Sequence, residues 1–198
     1  MKHLLLPFAF AGALLAGANA GEKDAPKEPP PGFTSLFNGK DLSNWKNAEP
    51  GWKADGGVIH FDGSKGAKNL ATAKNFKNFE LWVDWKIQKG GDSGIYLRGQ
   101  PQVQIWDNIK EGGSGGLYNN KPKSDGQKPF EVKDKKPGEW NNMYIKMVGT
   151  KVTVVLNGTI VVDNAVFLDG KIPAEGPIEL QVHGTPLWFR NVFVRELK

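Results

Sequence analysis

Three stretches of the sequence carry distinctive polar side chains at every second position. The stretches are Phe79–Ile87 and residues 94–106 and 178–183. In each, one alternate set is apolar, and the other contains aromatic, amide and ionisable residues: Trp82, Asp84, Tyr96, Arg98, Gln104, Trp106, Gln181 and His183. Aromatic rings beside planar hydrogen-bonding groups suit a sugar, because a ring stacks on C–H faces while amides and a guanidinium read hydroxyls. The pattern therefore predicts a carbohydrate site, provided that the three stretches belong to one sheet.

Alternation of this kind is typical of β-strands, which send successive side chains to opposite faces. The buried face of residues 94–106 would hold Ile95, Leu97, Val103 and Ile105. Gly99 and Pro101 divide this stretch into two strands around a tight connection, because proline cannot donate to a central hydrogen-bond ladder. For any one of these polar side chains, a simpler explanation is that it pairs with a side chain on the neighbouring strand and stabilises the sheet by roughly 0.2–1 kcal/mol a pair.

The rest of the chain is also predicted to consist of short strands, separated by Gly, Asn, Asp or Pro. The predicted strands are 33–37, 58–61, 69–72, 79–87, 94–99, 102–106, 142–148, 151–156, 159–162, 178–183 and 188–197. Beyond the N-terminal segment, no window sustains a helical apolar period over three turns. This organisation predicts an all-β sandwich or barrel. Asn157-Gly158 is typical of a type I′ hairpin turn, and this role also explains the sequon Asn157-Gly158-Thr159 without glycosylation.

The first 20 residues have the organisation of a secretory signal peptide. Lys2 and His3 form a basic start, residues 4–18 are apolar, and residues 18–20 (ANA) fit an A-x-A cleavage site. The apolar run is shorter than the roughly 20 residues that span a bilayer. We therefore expect a signal peptide at 1–20, an exported protein that is periplasmic or secreted, and no integral membrane span after cleavage.

Composition limits the remaining possibilities. Residues 21–31 are charged and proline-rich, as linkers are, so we expect one domain over residues 32–198. The chain has 0 cysteines, which excludes disulfides and thiolate metal sites. Its net charge of +5 is distributed without a sustained basic run, so no nucleic-acid partner is expected.

Two loop segments follow the predicted strand 102–106. The glycine run 112–116 lacks the lysine of a phosphate-binding loop and is predicted to be flexible. The polar segment 117–137 could shape the rim of a site.

The residue types allow several kinds of chemistry. His183 lies at the predicted end of a strand, and histidine is a suitable general base because it titrates near neutrality. Ordinary glycosidases need a pair of carboxylates, for which the candidates are Glu80, Asp84, Asp107 and Glu179. No G-x-S-x-G motif supports a serine nucleophile. A divalent metal held by carboxylates, amides and His183 stays open, although no close ligand spacing argues for it.

Several motifs in order carry a family resemblance over residues 32–197. The motifs are FTSLFNGKDLSNW (33–45), GDSGIYLRG (91–99), VQIWDN (103–108), PGEWN (137–141), LNG (156–158), and the segments 176–184 and 189–192. They resemble the motifs of the 3-keto-disaccharide hydrolase domain family, formerly a domain of unknown function. The resemblance implies a concanavalin A-like β-sandwich (jelly roll) of two antiparallel sheets, with a ligand site on the concave sheet.

The resemblance also implies exported bacterial proteins that act on glycosides oxidised at C3. The keto group acidifies the hydrogen at C2, so a base can remove it, the C1 substituent leaves by elimination, and water then adds. Transferred to this sequence, His183 or a carboxylate such as Asp84 would be the base, and Arg98 would hold the keto or enolate oxygen. A bound divalent metal could replace Arg98 as the electrophile. The expected substrate-binding residues are Trp82, Tyr96, Gln104, Trp106 and Gln181.

The sequence departs from the family pattern at Gln102, where such domains often have glutamate, and at Asn44, where glycine is usual. Glutamine cannot act as a base or as a charged metal ligand. Three hypotheses follow: an exported enzyme that cleaves 3-keto-glycosides, a glycan-binding module without catalysis, and a structural sandwich of the cell envelope. The expected ligand of the first two is a carbohydrate or a 3-keto-sugar.

Overall fold

The computed structural model of the chain describes residues 28–198, which form thirteen strands and a single 3₁₀ turn. The elements are β1 (Thr34–Ser35), β2 (Trp45–Lys46), β3 (Trp52–Asp55), β4 (Val58–Phe61), β5 (Leu70–Thr72), β6 (Phe79–Ile87), β7 (Asp92–Leu97), β8 (Gln102–Trp106), the 3₁₀ turn (Ile109–Glu111), β9 (Asn141–Val148), β10 (Lys151–Leu156), β11 (Thr159–Val166), β12 (Ile178–Leu180) and β13 (Leu187–Glu196). The short strands with glycine-rich connections follow from alternating β-branched and aromatic residues.

The strands form two antiparallel sheets that pack face to face. The large sheet has eight strands in the order β11-β10-β9-β6-β13-β4-β3, with β1 paired to β13. The small sheet has five strands in the order β2-β5-β12-β7-β8. The predicted all-β sandwich of two antiparallel sheets is confirmed.

The core lies between the two sheets. From the large sheet it receives the alternate residues of β6 that end in Trp85 and Ile87, which are buried. From the small sheet it receives the four residues predicted for β7 and β8, all 0 % exposed: Ile95, Leu97, Val103 and Ile105. Because these side chains hold one face of β7 and β8 against the core, the opposite face of the same strands is turned outward.

Each predicted strand overlaps an observed one, although several bounds differ: β1 covers only Thr34–Ser35, β7 runs from Asp92 to Leu97, and β11 extends to Val166. The short strands β2 and β3 were not predicted. The segment predicted at 178–183 pairs as a strand only over Ile178–Leu180. At the predicted hairpin turn between β10 and β11, Asn157 and Gly158 both have positive φ, as a type I′ turn requires. The Asn157 side chain donates to Lys133 O and to Asn141 Oδ1.

The predicted signal peptide at 1–20 and most of the predicted linker at 21–31 lie outside the described residues. Within residues 28–198, no helix is both long enough and apolar enough to cross a bilayer.

Candidate functional site

The outward face of the small sheet carries nine positions in a regular three-by-three array. Across the sheet, Glu179, Tyr96 and Gln102 form one row, because Tyr96 is the register partner of both others. Gly94 pairs with Gln104 and accepts a hydrogen bond from Gln181 N, which makes the second row. Asp92 pairs with Trp106 and faces His183, which makes the third. We call these nine residues the small-sheet array. It contains five of the eight predicted site residues: Tyr96, Gln104, Trp106, Gln181 and His183.

Gly94 occupies the centre of the array, and its missing side chain makes room for a neighbour. A Cβ built on Gly94 would lie 2.3 Å from Gln102 Nε2 and 2.8 Å from Gln102 Cγ. The Gln102 side chain therefore crosses over β7 at this point. It donates from Nε2 to Gln104 Oε1 (3.0 Å) and to Gln181 Oε1 (2.9 Å), and only 4 % of Gln102 is exposed.

These bonds belong to a chain of carboxamides whose orientation is fixed by one carboxylate. Gln104 donates from Nε2 to Asp92 Oδ1 (2.8 Å), and a carboxylate can only accept. The Oε1 atom of Gln104 then faces Gln102 and accepts a hydrogen bond from Gln102 Nε2. The same Nε2 also donates to Oε1 of Gln181. The nitrogen of Gln181 is left facing the Tyr96 hydroxyl at 3.5 Å. A charge on Asp92 thus decides which hydrogen-bonding group the array presents beside Tyr96.

His183 and Asp92 form the ionisable end of the array. The distance from His183 Nδ1 to Asp92 Oδ2 is 3.6 Å, and the His183 side chain is 62 % exposed, so its other nitrogen is open to a ligand. At the opposite end, burial raises the pKa of the Tyr96 hydroxyl, and the carboxylates of Glu179 and Asp92 add to this effect. Tyr96 therefore stays protonated and able to donate, so the array has an exposed imidazole at one end and a neutral hydroxyl donor at the other.

The segment after β8 borders the array and forms a depression. Gly115 N donates to Gln104 O and Gln104 N donates to Gly116 O, so the glycine run lies along β8 as a further edge. The predicted flexibility of residues 112–116 is therefore wrong, because backbone pairing holds this run in place. The Trp106 indole donates to Gly113 O (2.7 Å) and meets the Tyr118 ring edge-on at 5.5 Å. A depression of about 170 Å³ lies beside them, lined also by residues 127–129, so the predicted rim of segment 117–137 does border the array.

Arg98, the predicted electrophile, lies away from the array. It has a φ of 59°, which ends the strand alternation after Leu97 and turns the side chain away from the face of Tyr96. Its guanidinium donates to Lys77 O (2.8 Å), Ala174 O (3.1 Å) and Gly149 O. Arg98 is 4 % exposed, and burial lowers its pKa. The side chain connects three loops through hydrogen bonds to their carbonyl groups. Its position does not support the predicted contact with substrate.

Trp82 and Asp84 lie on the other sheet. The premise that β6 shares a sheet with β7 and β8 is wrong, because β6 is central in the large sheet between β9 and β13. Asp84 is 3 % exposed and accepts hydrogen bonds from Asn142 Nδ2 (2.7 Å) and Asn191 Nδ2 (2.7 Å), with Arg190 Nε at 3.4 Å. Trp82 meets the Tyr144 ring edge-on. The two residues thus belong to a polar and aromatic network on the outer face of the large sheet.

Asp92 was not among the residues predicted for the site, and Gln102 was predicted on the polar face only as a departure from the family pattern and not as a site residue. Both could have been found from the alternation itself. Asp92 lies two residues before Gly94 and four before Tyr96, on the same face of β7. Gln102 shares its face of β8 with Gln104 and Trp106. The glycine at position 94 interrupts the visible pattern of polar side chains, although it is the residue that lets Gln102 cross the strand.

No group of three or more His, Cys, Asp or Glu side chains suited to a metal ion occurs within residues 28–198. The carboxylate and imidazole groups of the array are Asp92, His183 and Glu179, and the amide chain separates the first two from the third. A divalent metal in place of Arg98 therefore stays a prediction without a ligand set in this part of the chain.

Substitution of Gly94 by alanine tests the crossing of Gln102. The added methyl group would collide with Cγ and Nε2 of Gln102 and displace its amide from both neighbours. We expect Gly94→Ala to lower the free energy of unfolding by about 1–3 kcal/mol, as overpacking does. In a Gln102→Ala background the same change should cost less than about 1 kcal/mol, because the obstacle is gone. Denaturant titration of the four proteins measures this coupling, and equal costs in both backgrounds would contradict the proposed packing.

The chain is similar to known proteins over nearly all of the described domain. The sequence profile of the 3-keto-alpha-glucoside-1,2-lyase-like domain family matches residues 32–195. A 3-keto-disaccharide hydrolase of Bacteroides thetaiotaomicron is 29 % identical over 230 residues, covering 84 % of this chain and 79 % of the relative.

Solved structures show the same fold. Two crystal structures of candidate glycosyl hydrolases from Parabacteroides distasonis superpose with TM-scores of 0.70 and 0.66, each at 26 % identity. The first covers 92 % of this chain and 98 % of the other protein, and the second 84 % and 95 %. The profile match over residues 32–195 shows that this chain belongs to the 3-keto-alpha-glucoside-1,2-lyase-like domain family.

Proposed function

We propose that the protein cleaves 3-keto-glycosides, including 3-keto-disaccharides, and that the reaction takes place on the small-sheet array. The observation that carries the proposal is the array itself. The Trp106 ring and the His183–Asp92 pair lie at one end, and the carboxamides of the array connect Asp92 by hydrogen bonds to Tyr96 at the other end. The name of the Bacteroides relative and the description of the family support the substrate class. Cleavage of such a substrate needs a base next to the C2 hydrogen and hydrogen-bond donors next to the C3 oxygen, so that the group on C1 can leave.

The proposed reaction has two stages. A base removes the proton from C2, the electron pair of the C2–H bond forms a C1=C2 double bond, and the C1–O bond breaks. The departing oxygen takes a proton, so the second sugar or aglycone leaves as an alcohol. Water then adds to the conjugated double bond, with its hydroxyl on C1 and its hydrogen on C2. The sum is the hydrolysis of the glycoside, and the C3 ketone is restored at the end.

The array supplies a group for each need of this reaction. His183 is the proposed base, because its side chain is exposed and its Nδ1 faces a carboxylate that stabilises the imidazolium formed when a proton is taken up. Asp92 is a positioning residue in this scheme. The Tyr96 hydroxyl and the Gln181 amide are proposed donors to the enolate oxygen. Trp106 provides the apolar surface for the sugar ring, whereas Asp84, Trp82 and Arg98 have no part in the scheme.

Incubation of the purified protein with a 3-keto-disaccharide in D₂O tests the proposal. We expect release of the two sugars, with one deuterium from solvent at C2 of the keto-sugar, because elimination and hydration pass through a C1=C2 double bond. Chromatography with mass spectrometry measures both, and an incubation without protein corrects for spontaneous exchange at C2. Cleavage without deuterium at C2 would contradict the elimination, and absence of cleavage would contradict the activity.

A second function is favoured by one observation. The side chain that covers the centre of the array is the neutral amide of Gln102, 4 % exposed, and the neighbouring Gln104 is 3 % exposed. A face of amides and two aromatic rings also suits a module that binds glycans without cleaving them. In the experiment above, affinity for the 3-keto-disaccharide without any release of sugar would support this second function.

The site of action is proposed from the N-terminal segment alone. Because residues 1–20 have the organisation of a signal peptide, we propose that the domain acts after export, in the periplasm or outside the cell.

A further inference from the structure

We propose that a second depression, at the end of the sandwich next to Trp106, binds the sugar that leaves from C1. This inference rests on the proposed function and adds to it a place for the second ring of a disaccharide. The depression has a volume of about 210 Å³ and lies between the ends of β6 and β8 and the start of β9. We call it the end pocket.

Trp106 belongs to both the end pocket and the small-sheet array. Trp106 lines the end pocket and is the register partner of Asp92, so the pocket begins where the His183–Asp92–Trp106 row ends. Hydrogen bonds also connect the end pocket to the start of β7. Asp107 N donates to Gly91 O, and Gly90 N donates to Asp107 Oδ2 (2.8 Å). A disaccharide whose keto-sugar lies on the array next to Trp106 can therefore place its second ring, the one linked to C1, in the end pocket.

The lining of the end pocket has the two parts that a sugar ring requires. Its accessible apolar part is formed by Trp106, Ile109 and Pro137, and the buried residues Trp85 and Ile87 lie beneath them. Charged side chains of the same pocket, among them Lys136 and Glu139, are exposed and stand around it. An apolar surface packs against the C–H face of a sugar, and charged groups at the edge hydrogen-bond its hydroxyls.

The size of the end pocket limits what it can hold. Pockets that enclose drug-sized ligands measure about 300–1,000 Å³, so about 210 Å³ corresponds to a single ring. The depression on the other side of Trp106 is lined by Gln104, Gln127 and Lys128, which makes it more polar. The end pocket is therefore the proposed subsite for one leaving hexose, and its apolar surface selects disaccharides over glycosides with a small aglycone.

Ile109 offers a direct test, because it lines the end pocket and is 62 % exposed, so that its replacement does not disturb the core. In Ile109→Asp a charge is placed against the apolar surface. We expect kcat/KM for a 3-keto-disaccharide to fall about tenfold, a loss of about 1.4 kcal/mol of binding to the leaving sugar. For methyl 3-keto-glucoside, whose aglycone is one methyl group, we expect a change of less than about twofold, since that substrate does not reach the pocket.

Phe130→Asp is the matched control, because Phe130 is 66 % exposed and lines neither depression. It should leave both substrates unaffected. An equal fall for the two substrates in Ile109→Asp, or no fall for either, would overturn the subsite while leaving the proposed activity intact. If the wild-type protein cleaves neither substrate, the proposed function fails, and calorimetry with the same two compounds decides the subsite: a tenfold loss of disaccharide affinity alone supports it, and unchanged affinity overturns it.

Discussion

Replacing Arg98 with alanine is expected to lower the melting temperature by roughly 6–12 °C. The guanidinium donates to the carbonyl oxygens of Lys77, Ala174 and Gly149, and all three hydrogen bonds would be lost. Hydrogen bonds to a charged group contribute about 1.5–3 kcal/mol each, and because the three acceptor residues are exposed and water can replace part of this, we take a loss of about 3 kcal/mol. For a domain of this size, 1 kcal/mol corresponds to about 2–4 °C. Differential scanning calorimetry provides the measurement.

The backbone around Arg98 explains why this loss is not relieved by rearrangement. Gly176 lies so close that a Cβ on it would be 2.8 Å from the Arg98 Cα, and Arg98 N donates to Pro177 O. Lys77→Ala is the appropriate control, since it removes an exposed positive charge of the same region and keeps the Lys77 carbonyl. A melting temperature equal to that of the control would show that the carbonyl cluster contributes nothing to stability.

Replacing Asp92 with asparagine is expected to reduce kcat on a 3-keto-disaccharide about 100-fold, the lower end of what general acid–base catalysis contributes. The change removes the charge that faces His183 Nδ1 at 3.6 Å and lets the Gln104 amide turn around. Because Asp92 acts through its neighbours, KM should change by less than about threefold, since the Trp106 surface that packs against the sugar is untouched. Steady-state kinetics separate the two constants.

The control for the Asp92 variant is Asp55→Asn, which makes the same chemical change at an exposed position of β3 in the large sheet. Its kinetics should match those of the wild type. A fall in kcat together with a large fall in melting temperature would mean that Asp92 holds the sheet together, and unchanged kcat would remove the His183–Asp92 pair from the mechanism.

Local pattern in the sequence predicts the faces of strands but not their neighbours. The buried residues of β6, β7 and β8 follow from a period of two, since alternation is a property of one strand. Whether β6 lies beside β7 depends on pairing between distant segments, and here β9 and β13 flank β6 instead. Trp82 and Asp84 were assigned to the site for that reason, although their positions on the outer face of β6 were predicted correctly.

Single backbone angles account for the other differences between expectation and structure. Arg98 continues the alternation of Tyr96 in the sequence, but its φ of 59° ends the pattern one residue after Leu97. A glycine in a strand, by contrast, interrupts the polar pattern without interrupting the strand, and Asp92 was overlooked beyond Gly94. The five residues placed correctly in the array are those in unbroken strands or directly continuing one.

The three carboxamides of the array form a bistable unit. In the observed arrangement the Gln102 nitrogen donates to the oxygens of Gln104 and Gln181. Turning all three amides together lets the Gln102 oxygen accept from both, but it directs the Gln104 oxygen at Asp92, so this second arrangement requires a protonated Asp92. Turning one amide alone places two oxygens or two N–H groups against each other, so mixed arrangements lose hydrogen bonds. The charge at Asp92 sets the energy difference between the two arrangements in which all three amides agree. A change of charge there is transmitted along the chain and converts the group beside Tyr96 from a donor to an acceptor, with no movement of the backbone.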